Sequence, residues 1–387
     1  MRILVASHTY IVALNREKLR AIAQLADDIE VTVVVPKRWR PGGVQRKTIV
    51  SEPYQDGGFR LVPVANFSEN NQGLLTFGLE LIKLLREFKP DIIQVEQGAK
   101  SLAYAQTIVL NKLLGLKAKN CFFTWWNLPY QNQFPINWLE RFNLQNTHGA
   151  IAGNQDGADI LREHGYRGVI AVMPQLGVDE TLFQPQPQPE LAAQLNLTPD
   201  EFVVGFAGRF VAEKGILTLL AALAKLVELP WKLLLLGRGT LRQEIAQQAS
   251  AAGIGDRVIF IESVPHDEVP RYINLMSVLV LPSETTANVR TLTAVGWKEQ
   301  FGHVLIEAMA CQVPTLGSDS GEIPHVIGEA GLIFPEGDAE ALSDRLRQLM
   351  SNPEQTAQLG RRGYERAMQH YTNIALAREQ LAFYQNL

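Results

Sequence analysis

Short, unbroken apolar runs separated by stretches of helical spacing constrain this chain more than any other feature. "RILVAS", "VTVVVP" and "PDIIQVEQG" are apolar at consecutive positions rather than at every second one. A strand with one wet face alternates, so these runs predict strands covered on both faces, as in a parallel sheet. "NREKLRAIAQLADD" and "GLLTFGLELIKLLREFKP" lie between them and repeat their apolar residues every three or four positions, as a helix with one buried stripe does. "KNCFFTWWN" and "GAIAGN" continue the strand series. Strand–helix–strand repetition needs right-handed crossovers and predicts an α/β fold, a doubly wound parallel sheet with helices on both faces.

The pattern stops at "LFQPQPQPELAAQLNLTPDE" and then restarts. "QPQPQP" suits neither a helix interior nor a central strand, so 183–200 is expected to be a stiff, exposed connector. Beyond it, "FVVGFAGRF", "WKLLLLGRG", "RVIFIES" and "SVLVLPS" read as strands, with helical segments between. A chain of 387 residues is too long for one core. Two Rossmann-like domains are expected, at 1–182 and 201–365, with a helical segment at 366–387. In open α/β sheets ligands sit beyond the carboxyl ends of strands. Two such domains facing one another across a cleft direct attention to residues just after strands.

Composition removes several classes of function. The net charge is only −4, so no basic field exists to hold nucleic acid. Cys121 and Cys311 lie far apart in apolar runs without metal-like companions. They read as buried reduced thiols and suit a cytoplasmic compartment. The first apolar run is broken by Ser7, His8, Thr9 and Tyr10, so it reads as a strand rather than a signal peptide. No run approaches about 18 apolar residues, so no transmembrane helix is expected. "LELIKLLREFK" carries Lys83, Arg86 and Lys89 beside an apolar face. Packing on the sheet is the expected use of that face, with peripheral contact at the inner face of a membrane left open.

Two segments carry the chemistry. In "GRFVAEKG", Gly208 and Arg209 follow a strand, and Lys214 and Gly215 precede a helix beginning near Ile216. Small residues, a helix start and two cations in one loop suit a diphosphate. A solvated basic turn with capping glycines is the alternative. In "KEQFGHVLIEAMACQVPTLGSDSGEIPHVIG", a helix is expected to begin near Gly302. Glu299 then lies in the loop before it, and Glu307 about one and a half turns inside. A carboxylate on an apolar helix needs partners. A vicinal diol such as a ribose would supply two donors to Glu307. Glu299 could accept from sugar hydroxyls, and the amides near Gly302 and His303 could meet phosphate. The alternative makes Glu299 a surface acid and Glu307 the partner of a core cation.

With these residues stated, the chain resembles glycosyltransferase family 4, the retaining nucleotide-sugar transferases of the GT-B fold. The G-R-x(4)-K-G loop, the E-x(7)-E pair, "GRGTLRQEI" and "EAGLIFPEGDAEAL" occur in the family's order, most clearly from Val203 to Leu349. The resemblance implies that Arg209 and Lys214 bind the donor diphosphate and stabilise the departing nucleotide. It implies that Glu307 holds the ribose and that Glu299 contacts the donor sugar with main-chain help from Phe301 and Gly302. The loop "ESVPHDEV" would meet the base through backbone near Val264, and a C-terminal helix would cross back onto the first domain. It also implies a nucleotide-sugar donor, a glycan, lipid-linked or small-molecule acceptor, retention of configuration, and no metal or other cofactor.

The N-terminal half departs from the family pattern. A Gly-rich loop after the first strand is replaced by "SHTYIVALNREKL", where Asn15 could cap the next helix and His8 could face the cleft. A His-Asp pair after a middle strand is replaced by Trp126 and Asn127 in "FFTWWNLPY". An indole can stack on a sugar and an amide can bond hydroxyls. Core packing is the other reading for Trp125 and Trp126. Glu96, after "DIIQV", is expected to orient an acceptor hydroxyl or, by slight preference, to be a surface acid. The long stretch "SETTANVRTLTAVGWKEQFG" reads either as a loop closing over donor or as a surface loop. Two competing functions are a nucleotide-sugar 2-epimerase and a catalytically silent nucleotide or glycan binder. Base, sugar, acceptor and oligomeric state are not legible in the sequence.

Overall fold

The continuous apolar runs form two predominantly parallel sheets, each in its own unit. The computed structural model describes residues 1–41, 47–290 and 295–387. One unit comprises Met1–Gly177 with Asn373–Leu387, and the other Val178–Thr372.

The first unit's sheet contains β1 (Arg2–Ala6), β2 (Glu30–Pro36), β3 (Tyr54–Asp56), β4 (Phe59–Val64), β5 (Ile92–Val95), β6 (Lys119–Thr124), β7 (Gly149–Ala152) and β8 (Val169–Val172). Their order is β8-β7-β6-β5-β1-β2-β4-β3. All pairings are parallel except β3 with β4 at the edge. Winding therefore reverses at β1, which pairs with β2 on one side and β5 on the other. Ile3, Leu4 and Val5 are fully buried, as consecutive apolar residues in a doubly covered strand must be.

The second unit's sheet contains β9 (Phe202–Ala207), β10 (Trp231–Leu236), β11 (Val258–Ile261), β12 (Val278–Leu281), β13 (Thr315–Ser318) and β14 (Gly331–Phe334). The order β11-β10-β9-β12-β13-β14 is wholly parallel. Its winding reverses between β9 and β12, the position at which open sheets of this kind leave a crevice.

Several expectations need correction. "GLLTFGLELIKLLREFKP" is helical only over Glu80–Phe88, whereas Thr76–Phe77 pairs with Asn66–Phe67 as a short ribbon. Gly73 and Gly78 interrupt the periodic stretch, and each glycine costs about 1 kcal/mol in a helix. The apolar face of that helix, Leu81, Leu84, Leu85 and Phe88, is buried in the core. The segment read as a stiff, exposed connector is exposed over 184–187 and belongs to the second unit. The Gln186 amide donates to Asn274 Oδ1 at 2.9 Å, and Asn274 Nδ2 donates to the Gln184 carbonyl at 3.0 Å. The Asn274 amide thus pairs backbone groups of a segment whose prolines keep it out of a sheet. Pro189 then starts a short helix, Pro189–Gln194, the position where a missing N–H costs nothing.

At the C-terminal end, helix Pro353–His370 lies in the second unit and helix Asn373–Gln385 in the first. Leu376, Ala377, Phe383 and Tyr384 enter the first core. Gly149 of β7 admits this helix closely, since a Cβ there would lie 2.6 Å from Phe383 Cζ and from Leu387 Cδ2. Both cysteines are free and buried, and burial pushes the Cys311 thiol up to about 12. Among the described residues no helix is long and apolar enough to cross a membrane.

Candidate functional site

The loops after β9, β10 and β12 meet at the second sheet's switch point because glycines let their backbones touch. After β9 come Gly208 and Arg209, a 3-10 turn Ala212–Lys214, and Gly215 at φ +63°, where helix α1 (Ile216–Leu223) begins. A Cβ on Gly215 would stand 1.8 Å from the Pro282 carbonyl oxygen beyond β12. A Cβ on Gly237, after β10, would stand 1.9 Å from the Gly208 carbonyl oxygen. Gly215→Ala combines that clash with a left-handed φ. It should lower stability by about 2–4 kcal/mol, read as a shift of the chemical-denaturation midpoint at unchanged slope.

Lys214 and Glu299 are brought together. Lys214 Nζ donates a short hydrogen bond to Glu299 Oε2, and Ser283 Oγ donates to the same oxygen at 2.8 Å. Ser283 is itself fixed, because its carbonyl accepts from Ser318 Oγ at 2.5 Å. The Glu284 amide donates to the Glu213 carbonyl at 3.0 Å, tying the loop after β12 to the turn holding Lys214. The Lys214 ammonium also lies 5.0 Å from the centre of the Trp297 ring. Trp297 ends strand Val295–Trp297, which pairs antiparallel with Thr286–Arg290. The expected long loop is therefore a hairpin over its described part, while 291–294 lie outside the described residues.

Two corrections follow. Glu299 is buried rather than a surface acid. Lys214 is mostly buried in an ion pair rather than exposed in its loop. Arg209 behaves differently. Its guanidinium is largely exposed and stands 3.6 Å from Glu213, a surface pairing of little strength that leaves its donors accessible.

Gly302, at φ +84°, opens helix α2 (His303–Ala310). Phe301 is buried against the rings of His303, at 4.9 Å, and Tyr371, at 5.7 Å. His303 is half-buried at the first helical position. Glu307 lies in the second turn, half-buried. Burial alone raises its carboxyl to about 7, and no described residue supplies the core cation that was one expectation for it. Val264 is half-buried in the segment after β11. Asp338 caps helix Ala339–Ser351, accepting from the Glu340 and Ala341 amides at 3.0 Å. Among the described residues no group of three or more His, Cys, Asp or Glu side chains is arranged to hold a metal.

In the first unit, the candidate residues separate. Asn15 does not cap a helix: its Nδ2 donates to the Thr9 carbonyl at 3.0 Å, and Arg16 precedes helix Glu17–Gln24 without a side-chain cap. Glu96 is not a surface acid. It is buried, accepting from Gln94 Nε2 at 2.8 Å and Gln175 Nε2 at 2.7 Å. Those amides satisfy a carboxylate that would otherwise be costly to bury. His8 packs on Trp39 with ring centres 4.9 Å apart, and burial lowers its imidazole to about 4.

Trp126 is half-buried; its indole N–H donates to the Leu128 carbonyl at 2.6 Å. Lys100 Nζ lies 4.1 Å from the Trp126 ring centre and 3.5 Å from that of Tyr130. Asn127 is buried. Trp125 donates to Gln175 Oε1 at 3.0 Å. Ser283, Trp297 and Lys100 escaped the sequence reading. Ser283 had a usable signal, since it stands just past the apolar run "VLVLP".

With this geometry in view, the comparisons with known proteins are specific. Residues 187–366 match the family model described as glycosyl transferases group 1. That segment, a little under half of the chain, is similar to the group 1 glycosyl transferases. The group 1 segment contains every donor-side residue named above. Curated relatives include the N-acetyl-alpha-D-glucosaminyl L-malate synthase of Bacillus anthracis, 30% identical over 50% of this chain and 48% of the relative. Another is the alpha-maltose-1-phosphate synthase of Mycolicibacterium smegmatis, 27% identical over 65% of this chain and 66% of the relative. The chain spans about half the length of the first such relatives. Among solved structures, the sucrose-phosphate synthase of Thermosynechococcus elongatus aligns with a TM-score of 0.71 at 22% identity, over 100% of this chain and 98% of that one. Anabaena HepE in complex with UDP aligns with a TM-score of 0.71 at 17% identity, over 100% of both chains. The fold is GT-B, with two Rossmann-like units.

Proposed function

We propose that this protein transfers a sugar from a nucleoside diphosphate sugar to an acceptor hydroxyl. The observation that carries this reading is the loop assembly at the β9–β12 switch point. There an accessible guanidinium, a lysine held by a buried carboxylate and the start of α2 converge within one unit. Breaking the bond between anomeric carbon and phosphate places negative charge on the diphosphate. Cations fixed before the reaction stabilise that charge more in the transition state than in the ground state.

In this reading Arg209 and Lys214 face the diphosphate. Glu299 with Ser283 holds the ammonium in place, so the acid acts on the donor sugar at most through one oxygen. Amides at Gly302 and His303 meet phosphate, as helix starts do, with Gly208 and Phe301 shaping the turns. Glu307 takes the ribose hydroxyls, which supply the donors its half-buried carboxylate lacks. Backbone near Val264 meets the base. The UDP held by Anabaena HepE supports a nucleotide-sugar donor. The reading includes retention of configuration, no metal requirement, a glycan or lipid-linked acceptor and a cytoplasmic setting with peripheral membrane contact.

Purified protein incubated with individual nucleotide sugars and a panel of glycan and lipid-linked acceptors tests this. Transfer that persists in EDTA, with the donor's anomeric configuration kept in the product by NMR, is the expected result. Epimerised nucleotide sugar without transfer would replace the proposal with an isomerase. Nucleotide binding without turnover would leave a binding protein.

A further inference from the structure

The basic amphipathic helix Glu80–Phe88 spends its apolar face on the core. Two other helices of the first unit do the reverse. Leu102–Leu113 follows β5, Ile136–Gln145 follows β6, and the two pack side by side. Tyr104 Oη shares a hydrogen bond with Thr147 Oγ1 at 2.8 Å. Asn143 Nδ2 donates to the Ala99 and Ser101 carbonyls at 2.7 and 3.1 Å. These bonds fix which side of each helix faces inward.

The outward sides are apolar. On the first helix Val109 and Leu113 are exposed one turn apart, Leu113 by 77%. On the second Trp138 is 63% exposed, and Phe134, just before it, is 82% exposed. Trp138 stacks on Phe142, one turn on, with ring centres 6.0 Å apart. The Lys112 ammonium stands 5.8 Å from the Phe142 ring centre and donates to Asn146 Oδ1. The aliphatic row of one helix and the aromatic row of the other are therefore joined at Lys112.

The charge around these rows has one sign. Residues 97–154 include Lys100, Lys112, Lys117, Lys119 and Arg141 but a single acid, Glu140, in a chain whose net charge is −4. Glu140 is buried and turned inward, where Tyr130 Oη, Asn132 Nδ2 at 2.8 Å and the His164 ring at 3.1 Å meet it. Lys112, Lys117 and Arg141 are exposed. Neither helix sets a carboxylate beside its exposed apolar row.

Single exposed apolar residues are ordinary, but adjoining rows of them mark a contact surface. The cations select what it contacts. A second copy of this face would bring like charges together, which opposes association. An anionic bilayer accepts both parts: indole and phenyl rings settle at the boundary between headgroups and chains. Lysine and arginine stems lie along the same apolar layer and leave their charges among the phosphates. We propose that this two-helix face docks on the surface of an anionic lipid bilayer. It gives the peripheral contact of the preceding reading a surface and a lipid class; the docking itself does not rest on sugar transfer.

Co-sedimentation of the full chain with vesicles, without nucleotide sugar, tests this. Vesicles of phosphatidylcholine alone are compared with vesicles containing about a third phosphatidylglycerol. Binding should be at least about tenfold tighter to the anionic vesicles and should weaken as salt is raised. Phe134→Ser with Trp138→Ser, at exposed positions, should leave the melting temperature unchanged and weaken that binding by about tenfold or more. Lys117→Gln with Arg141→Gln should also weaken it by about tenfold, through charge alone. Trp138→Phe keeps an aromatic anchor, so it should still bind while quenching of tryptophan fluorescence by brominated lipid falls. Equal binding to neutral vesicles, wild-type binding in either double variant, or unchanged quenching in Trp138→Phe would each overturn the proposal. A dimer that forms without lipid and is lost in the Phe134/Trp138 variant, with no vesicle binding, would assign the face to a second copy instead. Donor hydrolysis measured without lipid or acceptor reads the transferase proposal separately. Vesicle binding without hydrolysis would leave the lipid face standing, and hydrolysis without vesicle binding would strike only the peripheral contact.

Discussion

Lys214→Met should lower turnover by about 10²–10³-fold, the loss typical of removing one preorganised group from a developing negative charge. Binding of the donor should change much less, because the ground-state diphosphate still meets Arg209 and the start of α2. The substitution should also cost stability. Glu299 is buried and receives Lys214 and Ser283 on one oxygen. Removing the ammonium leaves a buried carboxylate without its ion-pair cation, which costs about 3–5 kcal/mol where burial is complete. The two effects separate in the double variant Lys214→Met with Glu299→Gln. With both charges gone no unpaired ion remains, so the melting temperature should recover while turnover stays low. Recovery of turnover with stability would show that Lys214 acts only on the fold. Turnover near wild type in the single variant would remove it from the mechanism.

The second large effect concerns Glu307 and pH. Its carboxyl sits near 7 in the free protein, against an ordinary value of 4.5, because burial penalises the charge. Between those values the folded chain holds a proton that the unfolded chain has released. The group's contribution to stability is therefore full below about pH 4.5 and is lost as pH rises through 7. Ribose hydroxyls that donate to the carboxylate favour its ionised form. Donor affinity should then rise from about pH 5 to 7 and level off above, with protons released on binding below the plateau. A nucleotide sugar is the right probe, because its diphosphate diester does not titrate in this range. Calorimetry in two buffers of different ionisation enthalpy counts the protons. Glu307→Gln should abolish both the release and the pH dependence and weaken binding by about tenfold or more, the loss of charged hydrogen bonds. A variant that binds with unchanged affinity and an unchanged pH profile would take Glu307 out of the ribose site.

These two residues also mark what can be read from a string of letters. Lys214 and Glu299 are 85 residues apart. Their motifs flagged each one, but nothing local says that they share a hydrogen bond, or that Ser283 completes it. That contact exists because β9 and β12 are neighbours and because Gly215 and Gly237 let the loops after the strands close on one another. Glu96 shows the opposite error. Its position after "DIIQV" allows either an acid that orients an acceptor hydroxyl or a surface acid, whereas its burial depends on Gln175, 79 residues away. Asn15 had the right residue type for a cap, yet its amide found the Thr9 carbonyl first.

What the sequence determined by itself was periodicity. Unbroken apolar runs and helical spacing dictate buried parallel strands with covering helices, since each residue's hydrophobic driving force acts wherever it falls along the chain. Two such series separated by prolines dictate two sheets. The tertiary structure decided which polar side chains end up paired and which stay open to a ligand. Hydrogen bonds and ion pairs need atoms within about 3 Å, and only strand order, tight glycine turns and packing bring distant residues that close.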